Sequence, residues 1–191
     1  MSRKGDKTKH NIAAAARKLF AEKGFSRVTM QDVCNASGMS RGGVYRHFPS
    51  TAEIIVFIIN EEHEKNLASL KLAIKTKVPA KKIFDKFIRY RINQVIDREN
   101  SIDNAITEFV NNNPEMSEFM SENVEKSVKI VADIIRMCRN ENAFDCDDPE
   151  GMSRHVLWTI EGMSKHNALI PISQAEIEQQ IRIIYRILQS Q

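Results

Sequence analysis

The stretch from Val28 to Phe48 constrains the fold of this chain more than any other segment. Thr29 is a favourable N-cap residue, and Asp32 three positions later completes a capping-box pattern, so a helix is predicted to begin here. Gly38 then breaks that helix, and Ser40 caps a second one. Two short helices that are joined by a glycine-containing turn are typical of a helix-turn-helix.

The second of these helices is predicted to have an apolar inner side and a polar outer side. Val44 and Phe48 are four positions apart, so they face inward together. The side chains left to face outward are Arg41, Tyr45, Arg46 and His47. Such a helix suits the DNA major groove. Arg41 is the candidate base reader because arginine can bind guanine bidentately, and a phosphate contact by the same side chain is the alternative.

The charge of the chain is distributed unevenly. Residues 1–50 contain ten Lys or Arg and three Asp or Glu, a net charge of +7, whereas residues 51–191 contain eighteen and twenty-two, a net charge of −4. A basic end on an acidic remainder is expected when that end meets phosphates. A solvated basic face is the alternative, which the adjoining helix-turn-helix makes less favourable.

Residues 10–55 resemble the DNA-binding end of the TetR (tetracycline-repressor) family of bacterial regulators. The residues that carry the resemblance are Lys18, Leu19, Phe20, Gly24, Phe25, Thr29, Asp32, Val33, Gly38, Met39, Ser40, Val44, Tyr45, His47, Phe48 and Ser50. The rest of the chain matches that family only in its length and its helical pattern. The resemblance implies a ligand-responsive transcriptional regulator, and we expect a repressor that binds a palindromic operator.

The expected DNA contacts lie in and around the second helix. The resemblance implies phosphate contacts from Tyr45 and His47, and core packing is the alternative for Tyr45. Thr29 can offer its hydroxyl and backbone N–H to a phosphate, and it can serve as an N-cap at the same time. The full predicted set is Thr29, Ser40, Arg41, Gly42, Gly43, Tyr45, Arg46, His47 and Thr51.

Two positions depart from the family pattern. Gly42 and Gly43 place two glycines in the second helix, where the family usually has a side chain at the second position. Each glycine costs up to about 1 kcal/mol of helix propensity relative to alanine, so this helix is expected to fray without DNA. Thr51 stands where the family commonly has a lysine.

The whole chain is predicted to be all-α, with nine helices and no strand. Residues 1–8 are expected to form a flexible basic arm, and residues 1–49 a three-helix DNA-binding domain. Residues 50–191 are expected to form a helical domain for ligand binding and dimerisation. The connecting helix, from Ser50 to about Ile74, is the predicted lever between the two domains. The other predicted helices cover about 8–23, 79–96, 102–110, 114–140, 149–169 and 173–189.

A cavity for a small-molecule effector is implied by the resemblance, and aromatic and methionine side chains could line it. The predicted set is Phe84, Phe87, Arg91, Phe109, Phe119, Met120 and Trp158. Filling a core is the alternative for the apolar members of this set. Arg91 and Glu108 are candidates for orienting a ligand, and a buried pair is their alternative.

The last two helices, about 149–169 and 173–189, have apolar stripes broad enough to pack both against their own domain and against a second copy of the chain. The resemblance implies that they form a four-helix homodimer interface, and a dimer would place two recognition helices on a palindrome. Closing the monomer core is the alternative for these stripes.

Other functional classes find no support in the sequence. No GxSxG, Walker-type, HExxH or GxGxxG motif is present, so no enzyme activity, cofactor or metal is expected. Three cysteines without a CxxC pair favour a reducing cytoplasm, and the apolar runs are too short for a membrane helix. The remaining alternatives are an activator, a regulator without a ligand, and an architectural DNA binder.

Overall fold

The computed structural model describes residues 3–97 and 101–189, and this part of the chain is all-helical, as predicted. A short 3-10 helix, Pro114–Met116, precedes α7. The nine α-helices of the described residues are α1 (Arg3–Lys23), α2 (Met30–Ser37), α3 (Arg41–Tyr45), α4 (Thr51–Lys75), α5 (Ala80–Ile96), α6 (Asp103–Asn112), α7 (Ser117–Asn140), α8 (Pro149–Leu169) and α9 (Gln174–Gln189).

The helix-turn-helix forms for the local reasons that the sequence indicates. Thr29 caps α2 in a reciprocal capping box, in which the Asp32 N–H donates to Thr29 Oγ1 at 3.1 Å and the Thr29 N–H donates to Asp32 Oδ2 at 2.9 Å. Gly38 follows α2 with φ 66°, a left-handed conformation that glycine adopts without a steric penalty. Ser40 caps α3 by accepting a hydrogen bond from the Gly43 N–H.

Two predicted helix starts are wrong. The basic arm is not flexible over residues 3–7, because α1 begins at Arg3; residues 1 and 2 lie outside the described residues. Asp6 in the first turn favours this early start, since a carboxylate there interacts well with the helix dipole. The helix predicted from Pro114 begins instead at Ser117, after a 3-10 turn in which the Met116 N–H donates to the Asn113 carbonyl.

The chain is divided into two compact units. The first comprises Met1–Glu64 and Glu99–Ser117, and the second comprises Lys65–Arg98 and Glu118–Gln191. The polypeptide therefore passes between the units three times, and α4 runs through the first of these passages. The predicted functional boundary between residues 49 and 50 stays a prediction.

Each unit has its own hydrophobic core. The core of the first unit includes Ile12, Ala16, Phe20, Val33, Val44, Phe48, Ile54, Ile55, Ile58 and Phe109. The core of the second unit includes Phe84, Ile88, Ile92, Val131, Ile135, Phe144, Val156, Ile160, Ile181 and Ile184. α6 belongs to the first unit, so the three N-terminal helices are packed together with the start of α4 and with α6.

All three cysteines are buried free thiols. Cys34 lies in the core of the first unit, whereas Cys138 and Cys146 lie in the core of the second. Burial raises the pKa of the Cys138 thiol to about 12 and raises the pKa of Cys146 as well. Within the described residues, no helix is both long and apolar enough to cross a bilayer.

Candidate DNA-binding site

The inner side of α3 anchors the helix in the first unit. Val44 and Phe48 are both buried, as predicted, and the Phe48 ring makes an edge contact with Phe57 at 5.4 Å between centroids. The Phe48 N–H donates to the Val44 carbonyl at 3.0 Å, so the helical turn continues past the five-residue helix. These contacts fix which side of α3 faces solvent.

The outer side of α3 is cationic and aromatic. Arg41, Tyr45 and Arg46 are exposed, with Tyr45 at 40%. The Arg41 guanidinium carbon lies 5.3 Å from the centre of the Tyr45 ring, one helical turn further along. This is a cation–π distance, so the aromatic ring orients the arginine before any ligand is present.

The two glycines of α3 have different surroundings. A Cβ on Gly42 would meet no described atom within 4 Å, so this position is open toward solvent. A Cβ on Gly43 would lie 3.2 Å from Met39 Cε and 3.2 Å from Ser40 Oγ, so this position faces the cap. Because Ser40 Oγ accepts the Gly43 N–H, its hydroxyl hydrogen can still donate to a phosphate.

Thr29 is more fully engaged by its own helix. Its hydroxyl donates to Asp32 Oδ2 at 2.6 Å and accepts the Asp32 N–H. The side-chain and backbone hydrogen bonds from Thr29 hold the pKa of Asp32 below its usual value. A phosphate contact by Thr29 therefore has to compete with an ionised carboxylate, which makes capping its first role.

His47 and Thr51 lie after the recognition helix and are half-buried. The His47 N–H donates to the Val44 carbonyl at 2.9 Å, which tightens the turn after α3. Thr51 is the first residue of α4, where unpaired backbone N–H groups point out of the helix end. His47 therefore offers a polar side chain just after the end of α3, and Thr51 offers one at the start of α4.

Two features of this unit have no signal in the local sequence pattern. Lys9 of α1 places its ammonium 4.5 Å from the centre of the Phe57 ring and 5.2 Å from that of Phe48. Glu108 of α6 accepts a hydrogen bond from the Ser26 N–H at 2.9 Å. Both contacts join segments that are far apart in sequence, so spacing could not indicate them.

Glu108 secures the turn between α1 and α2. Gly24 in this turn has φ 77°, and a Cβ there would meet Glu108 Oε1 at 2.5 Å. Asn112 adds a second link, since its Nδ2 donates to Ser26 Oγ at 3.0 Å. The hydrogen bond from the Ser26 backbone lowers the pKa of Glu108. Glu108 thus binds the turn before the helix-turn-helix rather than pairing with Arg91, and its role in orienting a ligand stays a prediction.

The residues predicted to line an effector cavity are distributed over both units. Phe84 is buried in the second core, and Phe87 packs against that core. Phe119, Met120 and Arg91 belong to the second unit and are half-buried. Phe109 lies instead in the first core, where its ring meets Phe25 at 5.2 Å. Trp158 is 63% exposed.

The exposed side of α8 and α9 is rich in apolar residues. Leu169 is 82% exposed, and no described atom lies within 4 Å of the position that a Cβ on Gly162 would take. The large apolar side chains exposed in this region are Trp158, Leu169, Ile170, Ile183 and Ile187. Within residues 3–97 and 101–189, no group of three or more His, Cys, Asp or Glu is arranged to hold a metal ion.

Comparison with known sequences places the helix-turn-helix in a defined group. Residues 12–56 match the model of the "Bacterial regulatory proteins, tetR family". The uncharacterised HTH-type transcriptional regulator YfiR of Bacillus subtilis is 45% identical over 65 residues, which are 34% of this chain and 32% of the relative. The HTH-type transcriptional regulator UidR of Escherichia coli is 33% identical over 75 residues, which are 39% of this chain and 38% of the relative. The chain thus matches about a third of the length of these relatives.

Solved structures extend the likeness to the whole fold. Salmonella enterica GusR has a TM-score of 0.70 and 22% identity, and the alignment covers 96% of both chains. A TetR transcription regulator from Haloarcula marismortui has a TM-score of 0.76 and 15% identity, with coverage of 96% of this chain and 98% of the other. At such identities the likeness is one of fold.

The fold and the N-terminal site define a helix-turn-helix protein with an all-helical body. Residues 12–56 match the TetR family of bacterial regulatory proteins, which confirms the resemblance found in the sequence, and the fold of the chain is that of solved TetR-family structures. This family consists of transcription regulators rather than enzymes.

Proposed function

We propose that this protein is a transcriptional repressor that binds a palindromic DNA operator as a homodimer and is released from it by a small molecule. The observation that carries the proposal is the outer side of α3, where Arg41, Tyr45 and Arg46 are exposed above a buried anchor of Val44 and Phe48.

The proposed DNA contacts divide into two kinds. Arg41 reads a base edge, because its guanidinium has the fork geometry that guanine O6 and N7 accept. The other residues bind the phosphate backbone and set the register of the helix in the groove. This second group comprises Thr29, Ser40, Gly42, Gly43, Tyr45, Arg46, His47 and Thr51.

A homodimer through α8 and α9 is supported by the exposed apolar surface of these helices. Trp158, Gly162 and Leu169 lie on one side of α8, because separations of four, seven and eleven residues are close to whole helical turns. Gly162 in the middle of this row leaves room for a partner helix to approach closely. Ile183 and Ile187 extend the apolar surface onto α9.

The proposed effector binds in the second unit, beside Phe84, Phe87, Phe119 and Met120. Its influence reaches the first unit along the polypeptide, and α4 is the direct route because it is one continuous helix across residues 64 and 65. Such coupling requires only that the effector bind two arrangements of the chain with different affinities.

The test of DNA binding has two stages. A random pool of duplex DNA is first selected with the purified protein, and a palindromic motif is the expected result. Gel-shift titration of that motif then compares Arg41→Ala with Lys71→Ala, an exposed lysine of α4 in the second unit. We expect Arg41→Ala to weaken specific binding by about 1–3 kcal/mol and Lys71→Ala to leave it unchanged.

Other results would contradict parts of the proposal. Unchanged affinity of the Arg41→Ala variant would mean that Arg41 does not recognise a base. A selected DNA pool without an enriched motif would indicate an architectural DNA binder. A bacterial reporter placed behind the selected motif separates repression from activation. A ligand screen by thermal shift, followed by release of the labelled motif, tests the effector.

A further inference from the structure

An open groove of about 560 Å³ lies between α5 and α9 in the second unit. Its volume is within the range of about 300–1,000 Å³ that small-molecule sites occupy. One residue of α5 and six residues of α9 line it: Arg89, Glu178, Ile181, Arg182, Tyr185, Arg186 and Gln189. None of these residues belongs to the proposed DNA-binding or effector set.

Two arginines of this groove are available for a ligand. Arg182 and Arg186 are one helical turn apart on α9, and both are exposed. Among the residues that the structure describes, neither has a carboxylate partner within ion-pair distance. Like charges four positions apart on a helix repel each other, so the pair gains from an anion placed between them.

Arg89 differs from these two because it is already paired. Its Nε lies 3.2 Å from Asp85 Oδ1, and its NH1 lies 2.9 Å from Glu178 Oε1. The hydrogen bond to Glu178 is the main cause that raises the pKa of Arg89. Arg89 therefore closes one side of the groove as a structural link between α5 and α9, and it leaves the charge of Arg182 and Arg186 unneutralised.

Tyr185 forms a rigid aromatic wall of the groove. Its ring makes edge contacts with Phe84 and Phe144, each at 5.8 Å between centroids. Its hydroxyl donates to Asp85 Oδ1 at 3.2 Å, and Lys81 Nζ lies 5.9 Å from the ring centre. Three contacts from α5 and one from Phe144 fix this ring, so the apolar part of a ligand would meet a preorganised surface.

The local charge is opposite to that of the surrounding sequence. Lys81, Arg89, Arg182 and Arg186 against Asp85 and Glu178 give the groove and its margin a net charge of +2, within residues 51–191 that total −4. A positive site on an acidic body concentrates small anions locally.

The groove is distinct from the proposed dimer surface on the same helix. At about 100° per residue, Arg182, Tyr185 and Arg186 lie on one flank of α9, whereas Ile183 and Ile187 lie on the other. The buried stripe of Ile177, Ile181, Ile184 and Leu188 lies between the two flanks on the inner side of α9, and about 60° separates Arg186 from Ile183 on the outer side. A partner protomer can therefore cover the apolar flank while the charged flank stays open.

We propose that this groove binds a small organic anion, whose carboxylate or phosphate group is held by Arg182 and Arg186 and whose apolar part lies against Tyr185. Guanidinium groups suit both head groups because their planar fork donates two parallel hydrogen bonds to either one. The site is separate from the effector site proposed above.

The test is isothermal titration calorimetry of the 191-residue chain without DNA. The probes are phenyl phosphate, phenylacetate and the neutral analogue 2-phenylethanol. We expect at least one anion to bind tenfold or more tightly than the alcohol, and the order of the two anions identifies the preferred head group. Equal binding of all three probes, or no binding of any, would overturn the proposal.

A pair of charge-matched double variants locates the site. Arg182→Gln with Arg186→Gln is expected to weaken binding of the preferred anion at least tenfold. Lys126→Gln with Lys129→Gln removes two exposed cations of α7 and is expected to change it less than twofold. Equal losses in both double variants would show nonspecific attraction and refute the site.

An independent measurement uses the unaltered protein. On titration with the preferred anion, the Nε–H signals of Arg182 and Arg186 should shift in a ¹H–¹⁵N spectrum while that of Arg154, which pairs with Glu125, stays in place. Shifts confined to other residues would place the anion elsewhere. Because no DNA is present in either experiment, their failure leaves the proposed DNA-binding function untouched.

Discussion

The side chains of Arg41 and Tyr45 act as a pair. The arginine is four positions before the tyrosine, and the 5.3 Å separation of its guanidinium from the ring limits the orientations it samples. Such a contact at an exposed site contributes about 0.5–1 kcal/mol. Tyr45 is therefore proposed to support base recognition in two ways, by its hydroxyl at a phosphate and by its ring beneath Arg41.

These two roles can be separated by substitution. Tyr45→Phe removes the hydroxyl and keeps the ring, so we expect a modest loss of affinity for the selected operator with unchanged base preference. Tyr45→Ala removes both and should lower affinity further while reducing discrimination at the base that Arg41 reads. Competition gel shifts with single-base operator variants measure both effects. Equal behaviour of the two variants would mean that the ring does not orient Arg41.

Glu108 is expected to make the stability of the protein depend on pH. Its pKa in the folded protein lies below the ordinary value of 4.5, chiefly because the Ser26 N–H donates to the carboxylate. A lowered folded-state pKa stabilises the protein above pH 4.5, and that contribution is lost as the pH falls through the folded-state value. Glu108→Gln keeps an oxygen acceptor but cannot ionise.

We therefore expect Glu108→Gln to lower the unfolding temperature by a few degrees at pH 7, and the gap from the wild type to narrow below pH 4.5. Thermal unfolding followed by circular dichroism from pH 7 to pH 3 measures this. Glu115→Gln, at an exposed carboxylate of the 3-10 turn, is the matched control and should unfold like the wild type. A constant gap for Glu108→Gln at every pH would contradict the linkage.

Contacts between residues close in sequence were predictable, and contacts between distant residues were not. The Thr29–Asp32 box follows from side chains three positions apart, whose chemistry is local. The Glu108–Ser26 hydrogen bond joins positions 82 apart, and no periodicity indicates it. Trp158 shows the same limit, because an aromatic residue in an apolar pattern can face a core or a partner, and its 63% exposure is a tertiary property.

The recognition helix α3 is the element whose sequence conflicts most with its conformation. Two of its five residues are glycine, and glycine costs about 0.8–1.0 kcal/mol relative to alanine in a helix interior. The two positions differ in space, so they should respond differently to a methyl group.

Gly42→Ala is expected to raise the unfolding temperature, because its Cβ would point into open space and alanine favours the helix. Gly43→Ala should gain less or lose stability, since its Cβ would approach Met39 Cε and Ser40 Oγ at 3.2 Å. Parallel thermal melts of the two variants test this difference. An equal rise for both would show that the cap adjusts freely around residue 43.

Most helices could be located from capping and proline signals, although their ends shifted. Ser173 and Glu176 form a capping-box pattern that predicts the start of α9. The structure contains both hydrogen bonds of this capping box. The helix predicted over about 79–96 begins at Ala80, and Pro79 is its N-cap. Proline disfavours the helical conformation at the residue before it and is tolerated at several positions around the first turn, so it marks the start of a helix only to within a few residues.

The proposed homodimer can be tested by a substitution in its apolar surface. Trp158→Glu would place a carboxylate in the centre of the proposed α8–α9 interface, where it would be buried without a partner. We expect analytical ultracentrifugation to show a dimer for the wild type and a monomer for this variant. Leu72→Glu, at a leucine of α4 that is 62% exposed, is the control and should remain dimeric. A dimeric Trp158→Glu protein would require another interface.

The three buried cysteines can report local opening of either hydrophobic core, because both cores contain at least one of them. Iodoacetamide reacts with thiolates. Burial protects all three cysteines from it while their surroundings stay packed, and the raised pKa of Cys138 protects that thiol further. Alkylation at Cys34 would record opening of the first unit, and alkylation at Cys138 or Cys146 would record opening of the second unit. Peptide mass mapping over time would thus give a separate alkylation rate for each of the two units in the wild-type protein. An effector that stabilises one unit alone would lower the alkylation rate in that unit only.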